Sequence, residues 1–202
     1  MADIEYEVFD TLWFHTFLDI KDFYQYEFEF RITYLMVDNE NDWSFRLERQ
    51  GKDFVYMSLP DRGGYMTDIA KNSTFVEYLQ RLAKEDASVK TSLYETEYDF
   101  YNSTSLFKVL DFIKTKYFGV FSFHLSVGVY SEDDFNNVRD IILQNNKCPS
   151  AVKKVVNKIT PEKLYKNSFS YRFGEQQSIL MGYHEEKKKF YFYFNENCWN
   201  GE

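Results

Sequence analysis

From Tyr24 onward the chain alternates: Tyr24, Tyr26, Phe28, Phe30, Ile32, Tyr34 and Met36 are apolar or aromatic, and Gln25, Glu27, Glu29, Arg31 and Thr33 between them are polar. A period of two marks a strand with one buried and one wet face, so this spacing predicts a long strand. Asp38-Asn39-Glu40-Asn41-Asp42 supplies turn residues, after which Trp43, Phe45 and Leu47 alternate with Ser44, Arg46 and Glu48. Gln50-Gly51-Lys52-Asp53 turns the chain into a third strand that ends at Leu59, before Pro60 and the Arg62-Gly63-Gly64 loop.

The period then changes. Thr74 with Glu77 forms a capping-box pattern, and Phe75, Tyr78, Leu79 and Leu82 share one face of a helix predicted over 74–85. A second amphipathic helix is expected near Ser105, with Leu106, Val109, Leu110, Ile113 and Tyr117 at helical spacing and Gly119 as its stop. Val120 to Tyr130 alternates again and predicts a strand. Ser131 with Asp134 opens a helix to about Asn145, Pro149-Ser150 precedes a short one, and Thr160-Pro161-Glu162 starts another. A second meander follows, over Phe169–Phe173, Ser178–His184 and Phe190–Phe194, with residues 195–202 expected to fray. The expected class is α+β, with antiparallel β-meanders at both ends of a single 1–202 domain and amphipathic helices and one strand between them.

Composition strengthens this picture. Aromatic residues make up 20% of the chain, including Phe 21 and Tyr 17, so the core must be built largely from rings. With Gly 8 and Pro 3 and no Gly/Ser/Pro-rich tract, no flexible linker is expected. Cys148 and Cys198 stand apart from any metal or redox spacing and are expected as free thiols. The acidic start at Met1–Glu5 lacks a secretory pattern, and the apolar runs fall far short of the ~20 residues that span a bilayer. A soluble, cytoplasmic protein with no membrane association is therefore expected. The heavy use of Asn, Lys, Tyr, Phe and Ile resembles that of proteins from AT-rich bacterial or phage genomes.

Charge is unevenly spread. Residues 1–100 carry 21 Asp+Glu against 10 Lys+Arg, net -11, and residues 101–202 carry 11 against 14, within a total of -8. An acidic, aromatic N-terminal half suits docking on a basic surface of another protein, itself of nucleic-acid-binding type, and Glu27, Glu29, Asp38, Glu40 and Asp42 are the residues expected to make that contact. The expected role is thus a non-catalytic, inhibitor-like binding protein, phage or mobile-element encoded. Cross-chain pairing of the aromatic strands into an oligomer is a further option.

The alternative is a protein acting on nucleic acid or nucleotides. Between Lys147 and Arg172, the bases Lys147, Lys153, Lys154, Lys158, Lys163, Lys166 and Arg172 face one acid, Glu162, with Tyr165 and Tyr171 nearby. Lysines at helical spacing contact phosphates and tyrosines stack on bases. His124, with Ser122 and Ser126 at i±2 on the same face of a strand, is the one arrangement that offers a base beside a hydroxyl, although such a trio is also the ordinary wet face of a half-buried strand. No GxxxxGK[ST], GxGxxG, GxSxG or HExxH motif occurs, His15 and His184 form no metal-ligand spacing, and Glu186-Lys187-Lys188 satisfies only the ExK part of a metal-dependent nuclease pattern, within a charged turn. No cofactor and no metal are expected.

Overall fold

The computed structural model describes residues 18–36, 41–49, 53–59, 74–93, 95, 97–116, 120–173 and 177–197. Helices α1 (Ile20–Phe23), α2 (Thr74–Glu85), α3 (Ser103–Lys116), α4 (Glu132–Gln144), α5 (Ser150–Asn157) and α6 (Pro161–Lys166) accompany nine strands. These are β1 (Glu27–Met36), β2 (Asn41–Arg49), β3 (Val55–Ser58), β4 (Val89–Thr91), β5 (Glu97–Phe100), β6 (Val120–Val129), β7 (Phe169–Phe173), β8 (Gln177–His184) and β9 (Lys189–Asn197). The strands form one antiparallel sheet in the order β4-β5-β3-β2-β1-β6-β9-β8-β7, so the α+β class expected from the periodicities is the class observed. The chain divides into two compact units, one of residues 1–30 with 122–202 and one of residues 31–121.

In the first unit the register fixes which side chains share a face. Val127 pairs with Phe192 and Phe192 with Met181, while Leu125 pairs with Phe194 and Phe194 with Ile179. All six are fully buried. Helix α4 lies on this side, because Phe135 stacks on Phe192 at 4.8 Å and tilts against Phe190 at 5.3 Å. Helix α6 covers the same side, its Tyr165 ring meeting Tyr183 edge-on at 4.7 Å. Burying rings of this size contributes roughly 1.5–3 kcal/mol each, which is why the helices stay on the sheet. Side chains at the intervening positions, among them His124, Tyr193 and Lys189, turn to the opposite face.

Local signals hold at the starts of α4 and α6. Ser131 is the N-cap of α4, its Oγ accepting from the Asp134 N–H at 3.1 Å, and Pro161 occupies the first turn of α6 after the Thr160 cap. Two findings differ from the sequence-based expectation. Strands β4 and β5 are extra, three and four residues long, and their one and two buried side chains are too few to register as a period. Strand β9 runs to Asn197, and Glu196 is fully buried on the helix-covered side, where its Oε1 accepts from Gln177 Nε2 at 3.5 Å. A charged residue inside a strand breaks the apolar pattern, so periodicity alone ends the strand at Phe194.

In the second unit Leu47, Met57 and Tyr98 align across β2, β3 and β5, beside Val55 and Phe100, and all are buried. Asp86, just after α2, ties that helix to β4 and α3. Its carboxylate accepts from the Ser88 backbone N–H at 2.9 Å, from the Ser88 hydroxyl at 2.6 Å and from the Ser105 hydroxyl. These donors favour the ionised form, Ser105 most of all, and hold the Asp86 carboxyl down to about 2. A folded-state value below the unfolded one stabilises the fold at neutral pH and withdraws that support as pH falls from about 4 toward 2. Asp86→Asn is therefore expected to lower stability at pH 7 and to flatten the acid side of a stability-against-pH curve measured by urea titration. An unchanged acid limb would show that the latch carries no stability.

Candidate functional site

Three residue sets offered by the sequence take different places in the fold. Of the acidic set, Glu27 is bound within its own chain: Lys189 Nζ lies 3.0 Å from Oε2, and the Tyr130 hydroxyl donates to Oε1 at 2.8 Å. Glu27 in turn holds the Tyr130 hydroxyl above its ordinary pKa. Glu29 is half-buried, Asp38 and Glu40 lie outside the described residues, and Asp42 is described only as a residue of β2. Both oxygens of Glu27 are thus already engaged within the chain, by a lysine and a phenol. Sequence alone gave no sign of this pairing, since Glu27 and Lys189 lie 162 positions apart.

The pair spans a strand. Lys189 stands on β9 and Glu27 on β1, with β6 between them, so their side chains must bridge about 10 Å, two strand spacings. Gly128 of β6 opens the way, because a Cβ there would sit 2.2 Å from Lys189 Cε. Gly182 does the same for the Tyr191 ring, whose hydroxyl would be 2.2 Å from an added Cβ. Both glycines lie within otherwise regular strands and serve close approach by a long side chain.

The histidine set forms no nucleophile pair. His124 Nδ1 lies 2.7 Å from the Tyr193 hydroxyl, across β6 and β9, so the hydrogen bond described for it goes to a phenol. Ser126 is half-buried on the same face, and Ser122 is described only as a residue of β6. Register places His124 beside Asn195, Asn195 beside Ser178, and Ser178 beside Arg172, a polar row across four strands that sequence periodicity did not reveal because it is assembled from both ends of the last 80 residues.

The basic set divides. In α5 the buried Val152 and Val156 turn inward, and Ala151, Lys154 and the C-cap Lys158 share the exposed side. In α6 Pro161 and Leu164 are buried, and Lys163, Tyr165 and Lys166 are exposed. Lys163 Nζ donates to the Lys158 carbonyl at 2.7 Å, which draws the two lysines together at the α5–α6 turn and satisfies a helix-end acceptor. Among the described residues, none of these four lysines forms an ion pair. Lys153 is half-buried and acts on Cys148, a free, buried thiol that burial pushes up to about 11. Arg172 is exposed, but on the side of β7 opposite the helices. His124 and Arg172 thus share one face of the sheet, and the four exposed lysines belong to the helices on the other. A single site joining His124 to the lysines is not what this arrangement offers.

His184 Nδ1 accepts from the Lys187 N–H at 3.4 Å, and Glu185 to Lys188 form the exposed β8–β9 turn, with Lys188 at φ 50°. Among the described residues no group of three His, Cys, Asp or Glu side chains is placed to hold a metal ion. His15, Cys198 and the Arg62-Gly63-Gly64 loop lie outside the described residues. Among the described residues, no helix is long and apolar enough to cross a membrane. Comparison with known proteins gives no match: no family model, no curated protein and no solved structure is significantly similar to this chain.

The strand-crossing pair is directly testable. Gly128→Ala is expected to displace Lys189 and cost roughly 0.5–1 kcal/mol, the scale of a half-exposed ion pair, and Lys189→Ala a similar amount. If the two act through one contact, the double variant costs little more than either single one in urea unfolding. Fully additive losses would show that Gly128 matters for another reason.

Proposed function

We propose that this chain is a non-catalytic binding protein whose contact surface is the outer side of α5 and α6, and that its partner is a nucleic acid. The supporting observation is that Lys154, Lys158, Lys163 and Lys166 are exposed on two consecutive helices, without ion pairs among the described residues. Solvated lysines on a helix with an apolar stripe are common, so exposure alone says little. What favours contact is their concentration in a segment where Glu162 is the one acidic residue between 147 and 172, with Glu132 of α4 meeting the surface at Tyr165.

A phosphate backbone suits these groups better than an acidic protein does. Protein interfaces are built around a buried apolar centre. In the unit that carries the lysines, the exposed large hydrophobic side chains among the described residues are Tyr130, Tyr165 and Tyr171, all amphipathic rings. The net charge of -8 opposes approach of a polyanion, but at physiological salt the Debye length is about 8 Å, so the local lysines dominate close contact.

A second reading, an acidic face against a basic protein partner, keeps one observation in its favour: the net -11 of residues 1–100. Its contact set would exclude Glu27. Retention on immobilised polylysine, weakened by Glu29→Lys and by Asp42→Lys, is the expected result; indifference to both changes ends that reading.

For the nucleic-acid reading the measurement is affinity for an oligonucleotide across a salt series. Four lysines that neutralise phosphates of a single strand give a log–log slope near -3, and Lys154→Gln with Lys158→Gln removes about 1.4 from its magnitude. Glutamine preserves helix propensity, so folding is expected to be unaffected. A wild-type protein that shows no binding at low salt excludes the proposal.

A further inference from the structure

Building on that proposed surface, the geometry points to single-stranded rather than duplex nucleic acid as its ligand, with Tyr165 and Tyr171 as stacking platforms. Tyr165 is 43% exposed although its ring is fixed on two sides: it meets Tyr183 edge-on at 4.7 Å and Phe190 at 5.4 Å. Its hydroxyl donates to Glu132 Oε1 at 2.9 Å, which ties α6 to the first turn of α4 and prevents the ring from turning away. A ring held in this way loses little conformational freedom when a base stacks on it. Lys163 and Lys166 are exposed on the same short helix and supply ammonium groups for the phosphates of a strand that passes over it.

Tyr171 continues the track. It stands on β7, the last strand of the sheet, at the position paired with Ile179, and is 37% exposed. The pairing puts it on the helix-covered side, the side where Tyr165 rests on Tyr183. Tyr183 and Ile179 are four residues apart on β8, about 13 Å at the usual rise, so the two rings are separated by a distance of that order. A duplex keeps its bases stacked inside and cannot use either ring; an unpaired strand offers both bases and phosphates. Sequence-independent stacking by two tyrosines further implies tolerance of any base.

The test is fluorescence anisotropy with a labelled oligothymidine of about 16 nucleotides and a duplex of equal length, using the full chain. Tighter binding of the single strand is expected, and Tyr171→Ala is expected to weaken it about tenfold while leaving the salt slope unchanged. Tyr165→Phe keeps the ring and is expected to retain most of the affinity, whereas Tyr165→Leu lowers it; circular dichroism melts verify that both variants fold. Equal affinity for both forms, with Tyr171→Ala silent and the lysine variants still reducing the slope, overturns this inference and leaves the lysine surface intact. Equal binding of an acidic polypeptide such as polyglutamate overturns it as well, because charge alone would then suffice. Absence of binding to any of these polyanions overturns both this inference and the function it rests on.

Discussion

Alternate side chains of β9 are removed from water while their neighbours are not, and this one commitment organises the first unit. Phe190, Phe192 and Phe194 face α4 and α6 together with Val127, Leu125, Met181 and Ile179 from the flanking strands. A slip of one residue in the β9 register would exchange every inward side chain for an outward one and expose the aromatic core. Because the aromatic layer forbids that slip, the positions of Lys189, Tyr193 and Asn195 on the other face are equally fixed. The strand-crossing bond from Lys189 to Glu27, the His124–Tyr193 contact and the outward lysines of α5 and α6 all follow from it.

Much of the architecture was legible in the sequence because it obeys simple periods. The long alternations around Phe28 and Val127 became β1 and β6, the Ser131 cap formed, and Thr160-Pro161 did open a helix. Short or irregular elements were not legible. Strands β4 and β5 contain too few residues to show a period, and Glu196 concealed the end of β9 because a carboxylate reads as a boundary although here it is buried and hydrogen-bonded.

The candidate sites were legible as compositions and illegible as arrangements. A run of lysines from 147 to 172 is visible in sequence, but only the helical phase and the sheet register separate Lys154, Lys158, Lys163 and Lys166 from the half-buried Lys153 and from Arg172 on the opposite face. Glu27 reads as a free surface acid until Lys189 and Tyr130 are found beside it. The Asn195 and Tyr193 neighbours of His124 come from a strand some 70 residues away, a separation that no local pattern reports. The proposed function rests on exposed charges that the fold leaves without ion pairs, and the lysines of α5 and α6 are a concentrated set of them among the described residues.

The most direct measurement is a residue-resolved NMR titration of the chain with a short oligonucleotide. The account predicts amide shifts concentrated between Lys154 and Lys166, with the His124 imidazole and the amides of β6 and β9 unmoved. Shifts centred on His124, Tyr193 and Arg172, with α5 and α6 silent, would contradict it by placing the contact on the opposite side of the sheet.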